Sequence, residues 1–236
     1  MTTPKRTDLS SIFARYAERL RLTHLVLRRN SARILDAAED DSRHVRDLAD
    51  FTELFLRFVA LHHENEDRFA FPALRAHHTL RTSDAAHLDA FGRDHLLLHT
   101  QLNALDAALP SLRKDAPGAR RDLTALMRDL IAMLGPHLDA EEQALTPERL
   151  AEMIPADALA RSEKEMVDDD RARGGTQTLM LIVHSLDARE REALIGRLPW
   201  FVEHALVGGV WRLGYARFLP FSYVEGSRIE TIESVR

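Results

Sequence analysis

The sequence contains no cysteine, which excludes disulfides, iron–sulfur clusters, cysteine-ligated zinc sites and thiol nucleophiles. Glycine and proline are sparse, at 10 and 9 of 236 residues, and this disfavours an all-β fold with many turns. No run of about 18 uncharged apolar residues is present, so we predict no transmembrane helix. The first residues, MTTPKRTDLSSIF, lack the apolar region of a secretory signal, and we expect a soluble cytoplasmic protein.

A strong positive charge is also missing. The formal net charge is −5, which gives no electrostatic footprint for DNA or RNA, and we expect neither a nucleic acid nor a membrane as partner. Histidine, in contrast, is plentiful, with 12 residues. Without cysteine, any metal or acid–base chemistry has to use histidine, aspartate and glutamate.

The apolar residues repeat with a helical period along most of the chain. This period predicts four long helices, which run from about Asp8 to Ala38, from Arg43 to His77 with a kink at Pro72, from Thr82 to Pro110, and from Gly118 to Pro147. Gly135-Pro136 lies inside the last helix and predicts a bend there. Short connections between long amphipathic helices predict an all-α fold, an up-down-up-down four-helix bundle with additional C-terminal helices.

The chain divides into three predicted parts. Residues 8–150 form the bundle, residues 151–218 form a helical extension that packs on it, and residues 219–236 form a tail. The extension either covers one side or end of the bundle or provides the contact of a homodimer.

Polar residues interrupt the apolar stripes of all four helices. They are His24, His62, Glu66, His95, His99, His137 and Glu141. A lone histidine on such a stripe is most often a packed core residue, but a buried carboxylate is costly unless it is paired or bound to a metal. These seven donors exceed what one first-row ion accepts, so the economical interpretation is two metals bridged by the carboxylates. Imidazole with carboxylate suits iron, and zinc or manganese less well.

Four sequence segments carry a family resemblance. They are His24 to Arg29, His62 to Asp67 followed by Phe71-Pro72-Ala73-Leu74, Asp94-His95 with His99, and His137 to Glu142. In this order they resemble the hemerythrin and HHE cation-binding family over about residues 10–150. The resemblance implies a four-helix bundle that holds two non-haem irons, bridged by carboxylates and an oxo or hydroxo group.

The resemblance also implies a role for each matching residue. His24, His62, His95, His99 and His137 would be the imidazole ligands, and Glu66 would bridge the irons. Both Glu141 and Glu142 match forms of the second bridge, and the i,i+4 spacing from His137 favours Glu141. Asp67 is a candidate to support a ligand imidazole, and its simpler interpretation is a surface residue. Tyr16 is a candidate gating residue, and its simpler interpretation is packing. His63, turned about 100° from His62, is expected to be solvated or to lie outside the ligand set.

The function implied is binding or sensing of oxygen or a related small oxidant. An enzyme acting on peroxide or nitric oxide at the same centre, and a regulatory protein that responds to iron or oxygen, stay open as alternatives. No residue is assigned a catalytic role. Oxygen, peroxide and nitric oxide are the expected small ligands.

Overall fold

A computed structural model describes residues 6–40, 43–77, 81–195 and 215–221, and these ranges contain helices and no strand. The α-helices are α1 (Arg6–Glu39), α2 (Val45–Asn65), α3 (Phe71–Arg75), α4 (Thr82–Arg113), α5 (Ala119–Ala144), α6 (Pro147–Met153), α7 (Ala156–Arg173), α8 (Gly175–Val183) and α9 (Ala188–Ile195). A π-helical turn, Glu66–Ala70, joins α2 to α3, and a 3-10 helix spans Ala216–Phe221. The predicted all-α class is confirmed. No helix in the described ranges is long and apolar enough to cross a membrane.

Four long helices form the bundle. Helix α1 packs against α2 and α5, and α4 packs against the same two helices, so the ring closes between the first and last of them. Helix α4 shows how the core is built, because it buries Leu98, Leu102, Leu105, Leu109 and Leu112 at alternating spacings of four and three residues. This spacing places one continuous stripe of leucine against the neighbouring helices.

Two prolines lie inside helices without ending them. The expected end of the third helix at Pro110 is wrong, because α4 continues to Arg113, and Pro136 lies within the unbroken α5. Both prolines are exposed, and so are Asp106 and Ala132, whose carbonyls lose a helical partner. Water can satisfy those carbonyls, which is why the helices tolerate the missing N–H groups.

Pro72 has a larger local effect. It provides no N–H for the carbonyl of Arg68, and the turn just before it is π-helical. There the N–H of Phe71 donates to the carbonyl of Glu66, five residues back. The predicted kink of the second helix is therefore a widened turn that begins at Glu66.

The C-terminal helices lie against the bundle. Helices α6 and α7 pack on α1, and α7 also packs on the π turn. Leu150, Met153, Ile154 and Leu159 join a second apolar core with Phe71. The last described segment reverses one expectation, because Phe221, placed in the tail by the sequence, is buried and stacks on Phe51 with ring centroids 4.9 Å apart. Residues 222–236 of the predicted tail lie outside the described residues.

Candidate metal centre

A cluster of imidazoles and carboxylates occupies the interior between the four long helices. Within the described residues the donor atoms form two groups, each with its members within 4.8 Å of one another. One group is His63, His95 and His137, and the other is His24, His62, Glu66 and Glu141. Six of the seven donors expected from the sequence are therefore brought together, and His63 joins them.

Each carboxylate of the cluster faces both groups. Glu66 places Oε1 at 3.6 Å from Nε2 of His62 and Oε2 at 3.7 Å from Nε2 of His95. Glu141 places Oε2 at 3.4 Å from Nε2 of His24, and Oε1 at 3.3 Å from Nε2 of His137. In both residues one oxygen therefore faces each imidazole group, which is the arrangement that a bridging carboxylate requires.

Two rings of the cluster each have their outer nitrogen held by a further carboxylate. Nδ1–H of His24 donates to Oε1 of Glu142 at 2.9 Å, and Arg28 donates to the same oxygen at 2.7 Å. Glu142 therefore lies on the outer side of His24, whereas Glu141 lies on the inner side. Asp67 takes the same place for His95, with Oδ1 2.9 Å from Nδ1. Such outer carboxylates fix the orientation of an imidazole and raise its basicity as a ligand.

Many buried polar atoms of the cluster have no hydrogen-bond partner among the described residues. They include Nε2 of His24 and His62, both ring nitrogens of His63, and both oxygens of Glu66 and Glu141. Leaving a buried polar group unpaired costs roughly 1–3 kcal/mol, and native cores contain few such groups. A concentration of them around one point indicates that another species satisfies them. Donors of this kind, arranged in two sets, fit metal ions.

Burial keeps part of the cluster neutral. It lowers the pKa of His62 and His63 well below the ordinary range, and neighbouring imidazoles add to the effect. Their rings are therefore unprotonated near pH 7, with a lone pair free to bind a metal. Burial also raises the pKa of Glu66 well above its usual range, and the charge of Glu141 raises it further.

For two other residues of the cluster, contacts between opposite charges shift the pKa in the direction opposite to that of burial. Burial lowers the pKa of His95, but Asp67 and Glu141 outweigh it and raise that pKa to about 9. Burial raises the pKa of Glu141, but His24 and His95 outweigh it and hold that pKa well below its usual range. The metal-free cluster thus retains protons that a metal ion would displace.

The structure corrects two expectations about α2 and α4. His63 is buried, and its ring centroid lies 4.5 Å from that of His95 and 5.3 Å from that of His137. Its expected solvated position is wrong, because α2 lies between α1 and α4 and is covered on two sides. His99 belongs to neither group and is only half-buried. After His95 the buried stripe of α4 continues three residues on, at Leu98, so the side chain four residues on turns away.

Aromatic side chains close the space around the cluster. Phe71 stacks on His95 with ring centroids 5.4 Å apart, and Phe91 meets His137 edge-on at 6.0 Å. Tyr16 is buried in the same apolar core as both phenylalanines. Burial raises the pKa of its phenol, and the charges of Glu66 and Glu141 raise it further. The phenol therefore keeps its proton close to the carboxylates.

A comparison with known families now bears on this cluster. The model of the hemerythrin HHE cation binding domain matches residues 16–149, which is more than half of the chain. The chain belongs to the hemerythrin HHE cation-binding family. Neither the curated proteins nor the solved structures gave a significant match.

The hemerythrin domain and the cluster coincide. All residues of the two donor groups lie within the matched range, as do α2 to α5. The expected family is thereby confirmed, and membership implies a cation-binding site. Within the matched range the two donor groups are able to hold a metal. Helix α7, which packs on the π turn, lies beyond the matched range.

Proposed function

We propose that this protein binds two iron ions in the buried cluster, and that the pair binds or senses oxygen or a related small oxidant. The observation that carries the proposal is the divided orientation of Glu66 and Glu141, whose two oxygens face different imidazole groups. A single ion in either imidazole group would leave one oxygen of each carboxylate, facing the other group, without a partner. Imidazole and carboxylate together favour iron among the available metals.

The two proposed iron positions differ in their protein donors. His63, His95 and His137 would hold one ion, and His24 and His62 the other, with Glu66 and Glu141 shared. Bound iron would supply a redox-active Lewis acid, with one imidazole fewer and therefore an open position on the His24 and His62 side. The inequality between the two positions supports binding of a small molecule at one of them.

Residues around the cluster orient its imidazole rings and exclude water from it. Glu142 and Asp67 fix the rings of His24 and His95, and the stacked Phe71 keeps water from one face of the cluster. Tyr16 adds a buried phenol that keeps its proton, because burial and the charges of Glu66 and Glu141 raise its pKa. This phenol is the feature that favours the second candidate, an enzyme acting on peroxide or nitric oxide.

Metal content tests the proposal directly. Protein prepared without oxygen and loaded with iron(II) is expected to retain two irons per chain after desalting. Exposure to oxygen should then produce a new absorption band. If the protein is a carrier or a sensor, this band should disappear when oxygen is removed. Steady turnover of peroxide or nitric oxide would favour the enzyme instead. Retention of clearly less than two irons would overturn the proposal.

A pair of neighbouring glutamates gives a matched control. Glu141→Gln should lower iron content to about one per chain or less, because an amide is a weak bridge between two metals. Glu142→Gln should retain two irons, because the only atom of the cluster that this residue touches is the outer nitrogen of His24. Equal iron content in both variants, measured by metal analysis, would contradict the assigned bridge.

A further inference from the structure

Helix α7 contributes no residue to the donor groups, but it forms the hydrogen bonds of Asn65, the residue just before Glu66. The side chain of Asn65 is 3% exposed, and its Nδ2 donates to Oδ1 of Asp170 at 2.7 Å. Its Oδ1 accepts from a guanidinium nitrogen of Arg173 at 3.2 Å. Both polar ends of this buried amide are thus held by α7.

Ion pairs add to this contact on either side of Asn65. Arg173 also donates to Glu64, and Arg68 donates to Asp169 at 3.1 Å. Three residues around the start of the π turn are therefore bound to the last turn of α7. A further contact, in which Arg19 of α1 donates to Glu163 at 3.0 Å, holds the middle of the same helix.

Apolar packing also joins α7 to α2 and to the π turn. A Cβ atom at Gly174, directly after α7, would lie 3.4 Å from Cδ2 of Leu61 on α2. Near the other end of α7, Leu159 is buried in the core that contains Phe71. Helix α7 is therefore seated along α2 and the π turn by apolar contacts as well as by charges.

The π turn is intrinsically less stable than the α-helices on either side of it. Turns with i to i+5 hydrogen bonds are rare, because they lack the favourable packing of an α-helix. Glu66 is the first residue of this turn and Asp67 the second. A change in the turn would displace the carboxylate shared by the two imidazole groups and the one that holds His95.

We propose that α7 is a strap that positions the π turn, and through it Glu66 and Asp67, by means of the contact between Asp170 and Asn65. These are positioning residues, and their effect on metal binding rests on the proposed function. Because coupling between two binding events is reciprocal, metal in the cluster also stabilises the docked strap. A segment beyond the family domain thereby becomes part of how this chain holds its metal.

Hydrogen exchange in the metal-free protein tests the strap without any metal. Asp170→Ala removes the acceptor for Asn65, whereas Asp168→Ala, on the same helix, removes an exposed partner of Lys164. Amides of residues 66–70 should exchange at least about tenfold faster in the first variant and at the wild-type rate in the second. Wild-type exchange in both variants would overturn the proposal.

Cobalt(II) titration, with anaerobic protein and a competing chelator, tests the effect on the metal centre. Asp170→Ala should weaken cobalt binding about tenfold, the lower end of what loss of an outer partner causes. Asp168→Ala should bind as wild type, and Asp170→Asn should restore binding because its amide oxygen can accept from Asn65. Unchanged affinity in Asp170→Ala, or no rescue by asparagine, would overturn the positioning role.

The two experiments separate the two proposals. Wild-type protein that binds fewer than two cobalt ions would refute the dinuclear centre, and the exchange rates of residues 66–70 would still decide whether α7 holds the turn. Wild-type protein that binds two, with no effect of Asp170→Ala on affinity, would leave the centre intact and refute the strap.

Discussion

Replacing His63 by leucine separates a metal ligand from a packing residue. The ring is 1% exposed, and neither of its nitrogens has a hydrogen-bond partner among the described side chains. Leucine fills a similar volume without polar atoms. If the ring is a metal ligand, His63→Leu should weaken metal binding and should raise the unfolding free energy of the metal-free protein.

The size of both effects follows from the site. An unpaired buried polar group costs roughly 1–3 kcal/mol, so metal-free His63→Leu should be more stable than wild type by about that amount. Structural four-ligand zinc sites contribute roughly 10–16 kcal/mol, or about 3 kcal/mol per ligand. By that scale, losing one imidazole should weaken binding about a hundredfold. The loss should fall on the ion that His95 and His137 also hold.

Urea unfolding and metal analysis measure the two effects separately. His99→Leu is the matched control, since it makes the same substitution at a half-buried ring of α4 that belongs to neither donor group. It should retain two irons with unchanged affinity. The reasoning fails if His63→Leu binds two irons as tightly as wild type, or if His99→Leu loses one.

Two more predictions concern the protons of the site. Tyr16→Phe should retain two irons, because the two donor groups consist of histidine and glutamate side chains, but should slow the reaction of the loaded protein with peroxide at least about tenfold if the phenol is the proton donor in that reaction; an unchanged stopped-flow rate would leave Tyr16 a packing residue. The raised pKa of His95, about 9 against an ordinary 6.5, means that its contribution to stability is fully present below pH 6.5 and is lost as pH rises through 9. Metal-free protein should therefore lose about 3 kcal/mol of unfolding free energy between pH 6.5 and 10, whereas metal-loaded protein should not; a flat urea series for metal-free protein would contradict this.

The helices of the bundle were predictable because their signals are local. Alternating apolar spacings and the caps around Thr82 and Gly118 depend on residues close together in sequence. The errors arose at prolines, because the cost of a missing N–H depends on what surrounds the orphaned carbonyl. At Pro110 that carbonyl faces water, and the helix continues.

The candidate donors also include side chains whose positions local sequence patterns did not predict. Spacing of four residues joined His95 to His99, but the core-facing stripe of α4 takes a step of three at that point. His63 was placed outside because a helix was treated as having one buried face. In the bundle, α2 lies between two neighbours, so His62 faces α1 while His63 faces α4 and α5.

The sequence by itself determined the fold class and the family, since both depend on helical periods and on motifs that are local in the chain. It also indicated most of the polar residues in the core, since a carboxylate on an apolar stripe requires a partner or a metal. The tertiary structure decided the rest. It divided the candidate donors into two groups, placed Glu141 inside and Glu142 outside His24, brought His63 but not His99 into those groups, and set α7 against the turn that carries Glu66. These outcomes depend on which helix lies beside which, and no local period along the chain encodes that.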